Sequence, residues 1–134
     1  MLAVVCVEDR NGMLFGTRRV SRDQAQQQDL LALCQGRTLW MNDYSVPLFA
    51  GADIRVDPDF LQKAAVGELC FVEDQPLLPV LDRLEGLVVY RWNRSYPATR
   101  RLDLDLSAFT LTDTREFPGS SHETITREIY ERRI

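Results

Sequence analysis

A mainly parallel α/β sheet, with helices on both faces and an antiparallel hairpin at its end, is predicted by three features of the chain. Residues 2–7 read LAVVCV, an unbroken apolar run of the kind carried by a strand buried on both sides. Similar runs then alternate with segments of helical spacing, the order expected of parallel strands joined by crossover helices. The last part of the chain changes period. Phe109 to Phe117 (FTLTDTREF) and Glu123 to Arg132 (ETITREIYER) alternate polar and apolar residues around the turn-rich PGSSH, so they are expected to pair antiparallel.

The elements follow in order. After the first strand, Glu8-Asp9-Arg10 leads into a polar loop through Asn11-Gly12 and Gly16. Ser21 is the expected N-cap of a helix, with Gln24 three residues on, an apolar face of Leu30, Leu31, Leu33 and Cys34, and an end at Gly36. RTLWM (Arg37 to Met41) reads as the second strand, and Ala52 to Val56 as a short one. Asp57-Pro58-Asp59 opens a short helix ending near Gly67, and ELCFV is the next strand. Gln75 to Leu84 has helical spacing, with Pro79 making its first turn irregular, and LVVYRW follows as a strand. Neither a repeat nor a linker divides residues 1–134, which read as a single domain.

Composition narrows the function classes. At 134 residues, about two-thirds of the unfolded surface can be buried, so one ordinary core suffices. The chain is 45% apolar and 27% charged, as a soluble globular protein should be. A net charge of −4 gives no general attraction to nucleic acid or anionic membrane. The three cysteines, Cys6, Cys34 and Cys70, are odd in number, widely spaced and set among apolar residues, which suits reduced core thiols. Met1 to Val7 lacks a basic flank and stops too early for a signal sequence or a membrane span, so a cytoplasmic location is expected.

In an open α/β sheet, ligands sit outside the carboxyl ends of the strands. Here those ends read Glu8-Asp9, Asn42-Asp43, Glu73-Asp74 and Trp92-Asn93, and five of these residues are acidic. Asp9, Asp43, Glu73 and Asp74 could offer oxygens to a divalent cation, but solvated loop charges are the plainer reading and no metal is expected. His122, the one histidine, lies in the PGSSH turn and is expected to be exposed, without the partners of a triad or a zinc site. Arg91, Arg94, Arg100 and Arg101, interleaved with Trp92 and Tyr96, have the composition of a single-strand-binding surface. Asp103 and Asp105 follow at once, so an ordinary charged loop is expected and nucleic acid is disfavoured.

The landmarks together resemble the dihydrofolate reductase family along nearly the whole chain. They are VVCVEDRNGMLFG for the first strand and its acidic-Asn-Gly loop, TLWMNDYS for the second strand, and EIYERR in the closing hairpin. The resemblance implies that fold, with NADPH as the family cofactor and a folate-type pterin as its substrate. It also assigns positions. Gln26 or Gln27, depending on one gap, stands where the family has the carboxylate that holds and helps protonate the pterin, and an amide cannot exchange that proton. Asp43 and Ser45 match the Arg and Thr that grip the cofactor phosphates, and Glu73 and Asp74 match the Gly-Gly over which the pyrophosphate lies. Tyr90 replaces a small hydroxyl residue. Phe15, Leu30 or Leu31, Tyr44 and Tyr90 are expected to line the substrate pocket together with the glutamines. The expectation is a family scaffold with a degenerate site that needs no cofactor and serves as a module for a small ligand or a protein partner, with self-association left open. The alternative is a working NADPH-dependent reductase of dihydrofolate or a related pterin with an atypical site.

Overall fold

The structure is a computed structural model that describes residues 1–133. In chain order its strands are β1 (Leu2–Val7), β2 (Gly12–Phe15), β3 (Arg18–Arg19), β4 (Leu39–Met41), β5 (Arg55–Val56), β6 (Leu69–Phe71), β7 (Gly86–Arg91), β8 (Arg100–Arg101), β9 (Phe109–Phe117) and β10 (Ile125–Arg132). The helices are α1 (Gln24–Cys34) and α2 (Phe60–Lys63), with short 3-10 turns at Val46–Phe49, Leu78–Arg83 and Leu106–Ala108.

Seven strands form one sheet in the order β5-β4-β6-β1-β7-β10-β9. The pairs β1/β6, β1/β7, β4/β5 and β4/β6 are parallel, whereas β7/β10 and β10/β9 are antiparallel. The apolar LAVVCV run thus lies at the centre, and the expected hairpin forms, with Ile125 opposite Phe117 and Arg132 opposite Phe109. Two core clusters cover the two faces. One packs Phe60 and Leu61 of α2 and Val80 and Leu84 near the second 3-10 turn against Val5, Val7, Leu87 and Val89. The other packs Leu30 and Cys34 of α1 against Val4, Leu39, Val88 and Tyr90. Burial pushes all three free thiols up, Cys70 to about 12, which suits core groups rather than nucleophiles. Among the described residues, no helix is long and apolar enough to cross a membrane.

Three local expectations are corrected. Residues 12–19 form two strands rather than a loop, and with β8 they make a second sheet in the order β3-β2-β8. Gly12 permits this, because a Cβ there would meet the Ala98 Cβ at 2.4 Å. The cap of α1 is Asp23, not Ser21: its Oδ1 accepts from the N–H groups of Ala25 at 2.8 Å and Gln26 at 3.3 Å. Residues 78–83 wind as a 3-10 turn rather than the longer helix expected over Gln75 to Leu84, with Pro79 in its first turn.

Candidate functional site

After β6 the chain crosses to the other side of β1, so the strand order reverses at the centre of the sheet and a cleft is expected beyond the carboxyl ends there. That place holds an ion pair. Glu73, 8% exposed, accepts from Arg19 Nε at 2.9 Å and from Arg19 Nη2 at 3.2 Å. Ser45 Oγ donates to the same carboxylate at 2.8 Å. Arg19 also donates to the Tyr44 carbonyl at 3.1 Å and lies 4.7 Å from the centre of the Tyr44 ring, and the Tyr44 hydroxyl donates to the Thr17 carbonyl at 2.9 Å. The β2–β3 hairpin is thereby strapped across the ends of β4 and β6. The bond to Glu73 raises the Arg19 pKa, while burial raises that of the Tyr44 hydroxyl.

Beside this strap a cavity of about 530 Å³ is lined by Leu14, Gly16, Thr17, Tyr44, Asp74, Thr99 and Arg100. Asp74 accepts from Asn42 Nδ2 at 2.9 Å, and its backbone carbonyl accepts from Arg100 Nη1 at 2.5 Å. The cavity could hold a small polar molecule against one carboxylate and one phenol ring. Asp43 is exposed, and Ser45 spends its hydroxyl on Glu73 rather than on capping the 3-10 turn that follows. Among the described residues no three His, Cys, Asp or Glu side chains come together as a metal site.

The residues expected to share one pocket are divided. Tyr44 lines the cavity above, Phe15 lines another on the opposite face of β2, and Leu31 lines a third with Cys34 and Arg37. Leu30 and Tyr90 are core residues. The cause is periodicity: α1 turns Gln26, Leu30 and Cys34 toward the sheet, which points Leu31 away, and strand alternation sends Phe15 outward. Gln26 is buried with its Nε2 unpartnered, and Gln27 is half-buried, so neither is the plain solvent-facing residue that helix glutamines usually are. The Tyr90 hydroxyl donates to Asp29 at 2.6 Å, where Arg127 also donates at 2.9 Å. Burial first, and then the bond to Asp29, push the Tyr90 hydroxyl far up.

His122 overturns its expectation. It is 5% exposed and stacks on Trp92 at 4.6 Å. Its Nδ1 lies 2.9 Å from Asp23 Oδ2, and its Nε2 lies 2.9 Å from Ser21 Oγ and 3.0 Å from the Tyr96 hydroxyl. Asp23 meanwhile accepts from the N–H groups of Ser120 at 3.0 Å and Ser121 at 2.8 Å. Gly119 leaves room for this turn, since a Cβ there would lie 2.7 Å from Asp23 Oδ2. Burial pushes the Asp23 carboxyl up, but the bonds from Ser120, His122, Ser121 and Gln26 outweigh it and hold the group well below the usual carboxylate range. Ser21, His122 and Asp23 stand in the order of nucleophile, base and orienter, yet Tyr96 shares the imidazole nitrogen and Ser21 lines none of the cavities described above. The arrangement ties the start of α1 to the β9–β10 turn. Its sequence signal was the Ser-x-Asp just before a helix, which offered two caps without saying which had distant partners.

No family model matches the chain, and no curated protein matches it. Among solved structures, the chain is similar to dihydrofolate reductase from Enterococcus faecalis complexed with NADP(H) and RAB-propyl, with a TM-score of 0.69 and 8% identity over 99% of this chain and 96% of that one. At that identity the likeness shows a dihydrofolate-reductase-like fold.

Proposed function

We propose that the chain is a single-domain, dihydrofolate-reductase-like module that does not use NADPH and whose cleft beside Tyr44 and Asp74 takes a small neutral or cationic ligand. The observation that carries this reading is the Arg19–Glu73–Ser45 cluster across the ends of β4 and β6. A dinucleotide lying over these strand ends would need backbone without side chains and free cations for its phosphates. It would meet two carboxylates, Glu73 and Asp74, and an arginine already neutralised by Glu73. A carboxylate about 6 Å from a phosphate, at an effective dielectric of about 20, costs on the order of 2 to 3 kcal/mol per charge pair. With Glu73 paired to Arg19, Asp74 supplies one such pair in full, on the order of a hundredfold in affinity by the usual ~1.4 kcal/mol per tenfold. An uncharged ligand, or a cationic one held at Asp74 away from Arg100, meets no such opposition.

The second reading, a working NADPH-dependent reductase, draws on Gln26, whose buried and unpartnered Nε2 could orient a ring. Calorimetric titration with NADPH separates the two. The first reading expects no saturable binding below about 0.1 mM, the level reached when micromolar affinity is cut at least a hundredfold. Micromolar binding, with hydride transfer to a reducible pterin, would establish the second.

A further inference from the structure

We propose that the outer face of the small sheet, with the loop that follows β7, is a binding site for a small ligand carrying a flat ring and an oxyanion. The proposal concerns a different cavity from the cleft discussed above and does not depend on it. Strand alternation gives the small sheet two faces. In the β3-β2-β8 sheet, Leu14 stands opposite both Arg19 and Arg100, and Phe15 stands opposite Arg18. The first set faces the strand ends, where Arg19 and Arg100 find acceptors. The second set faces the other way.

On that outer side a cavity of about 420 Å³ is lined by Arg10, Phe15, Tyr96, Pro97 and Arg101, with Glu8 and Ser95 among its remaining neighbours. That size accommodates a ligand of one or two rings. Among the described residues, the guanidiniums of Arg10 and Arg101 have no hydrogen-bond or ion-pair acceptor, nor have those of Arg18, in register with Phe15, and Arg94, which lies 5.5 Å above the Tyr96 ring. Of the two nearby acids only Glu8 is in the lining. Glu8 is buried, and its Oε2 takes the N–H groups of Arg10 at 2.6 Å and Gly12 at 2.9 Å. Asp9 takes the Ser95 hydroxyl at 3.0 Å. In the lining itself Arg10 and Arg101 outnumber Glu8, so the cavity is cationic in a protein whose net charge is −4.

The walls suit a ring. Phe15 is 52% exposed, so its ring is open to contact from the cavity. Tyr96, also in the lining, is held by its hydroxyl against His122 Nε2 at 3.0 Å, and His122 is itself fixed by Asp23 and Trp92. The phenol ring is therefore pre-organised, which lowers the entropic cost of stacking a ligand there. Guanidiniums beside aromatic faces recognise phosphate or carboxylate by paired N–H donation while the ring contacts give shape.

Calorimetry with phenyl phosphate tests this, with inorganic phosphate and phenol as separate arms. The expected result is saturable one-to-one binding of phenyl phosphate with a Kd of about 1 mM or tighter, and at least about tenfold weaker binding of either part alone. Arg10→Gln and Arg101→Gln should each weaken phenyl phosphate about tenfold. Phe15→Ser should weaken phenyl phosphate but leave inorganic phosphate unchanged. Arg115→Gln, on exposed β9, is the control and should change nothing. Unaltered melting temperatures will show that these surface variants fold. Failure of phenyl phosphate to saturate by about 10 mM, or an equal loss in Arg115→Gln, overturns the proposal. So does a short oligothymidylate that binds far more tightly than phenyl phosphate, which would assign the face to nucleic acid instead.

Discussion

Arg100 and Arg101 are neighbours in the chain, yet they belong to two different chemical regions. Arg100, with Arg19 and Leu14, faces the strand ends, where acceptors from Glu73 and the Asp74 backbone meet the guanidiniums. Arg101, with Phe15, faces a cavity where no acceptor meets it among the described residues. One strand step separates a charge that braces the fold from one free to meet a ligand. Counting arginines cannot make that distinction, because alternation and partners assign the roles. The inner face should therefore lose stability when altered, and the outer face should lose binding.

The largest effect expected on the inner face comes from Glu73→Ala. Arg19 is 21% exposed at its side chain, so it would be left without its counter-ion in a partly desolvated place, and Ser45 would lose its acceptor. Breaking a buried pair on one side costs about 3 to 5 kcal/mol, and partial exposure of Arg19 brings this to about 2 to 4 kcal/mol. Arg19→Met together with Glu73→Met should recover most of the loss, since no charge is stranded. Urea unfolding of the two variants checks both statements. A single variant as stable as the parent would mean that the strap is solvated.

The next effect concerns the support beneath the outer face. Asp23→Asn keeps the shape but removes the charge that serves Ala25, Gln26, Ser120, Ser121 and His122, and should cost about 1.5 to 3 kcal/mol at pH 7. The sign of its pH dependence follows from the lowered folded pKa. Folded Asp23 binds its proton less readily than the unfolded chain, whose carboxyl titrates near 3.8. Its contribution is thus complete above that value and is lost as pH falls through the folded pKa. Stability measured from pH 6 down to pH 2 should fall less steeply in Asp23→Asn than in the parent.

These two regions differ in how far the sequence foretold them. Elements built from local pattern were legible: LAVVCV read as a central strand and FTLTDTREF with ETITREIYER as a hairpin, and both form. The small sheet was not, because β3 and β8 are each two arginines long and carry no β-propensity signal, and their pairing to β2 spans more than eighty residues for β8. The capping of α1 was misread for a similar reason. Ser21 and Asp23 are both good local caps, and the choice lies with Ser120, Ser121 and His122, about a hundred residues away. Of the expected site, the acidic strand ends stand where the fold put them, but the partner of Glu73 was missed because Arg19 was read as loop. Likewise Tyr90 was expected to line the pocket, and it is instead a core residue whose hydroxyl bonds Asp29 one helical turn beyond Gln26.

A smaller effect follows for Tyr90. Tyr90→Phe removes one donor from Asp29 but leaves Arg127 in place at 2.9 Å, so the cost should be about 1 kcal/mol, without a change in the cleft beside Tyr44. Thermal unfolding measures it. A loss above about 3 kcal/mol would mean that Asp29 depends on the phenol for its burial.

The smallest differences are expected for the adjacent pair with which the comparison began, and they carry the most information. Arg100→Gln removes a donor to the Asp74 carbonyl from an exposed side chain, and should cost about 0.5 to 1 kcal/mol of stability while leaving phenyl phosphate affinity intact. Arg101→Gln removes nothing that the fold uses, so stability should stay within about 0.5 kcal/mol of the parent, whereas phenyl phosphate should bind about tenfold more weakly. The two variants thus exchange rank between two assays while sharing the same charge change and the same stretch of chain. General electrostatic attraction predicts equal loss of affinity in both, because each lowers the positive charge by one. Equal losses would erase the distinction between the inner and outer faces. Opposite rankings would leave strand alternation as the property that separates them.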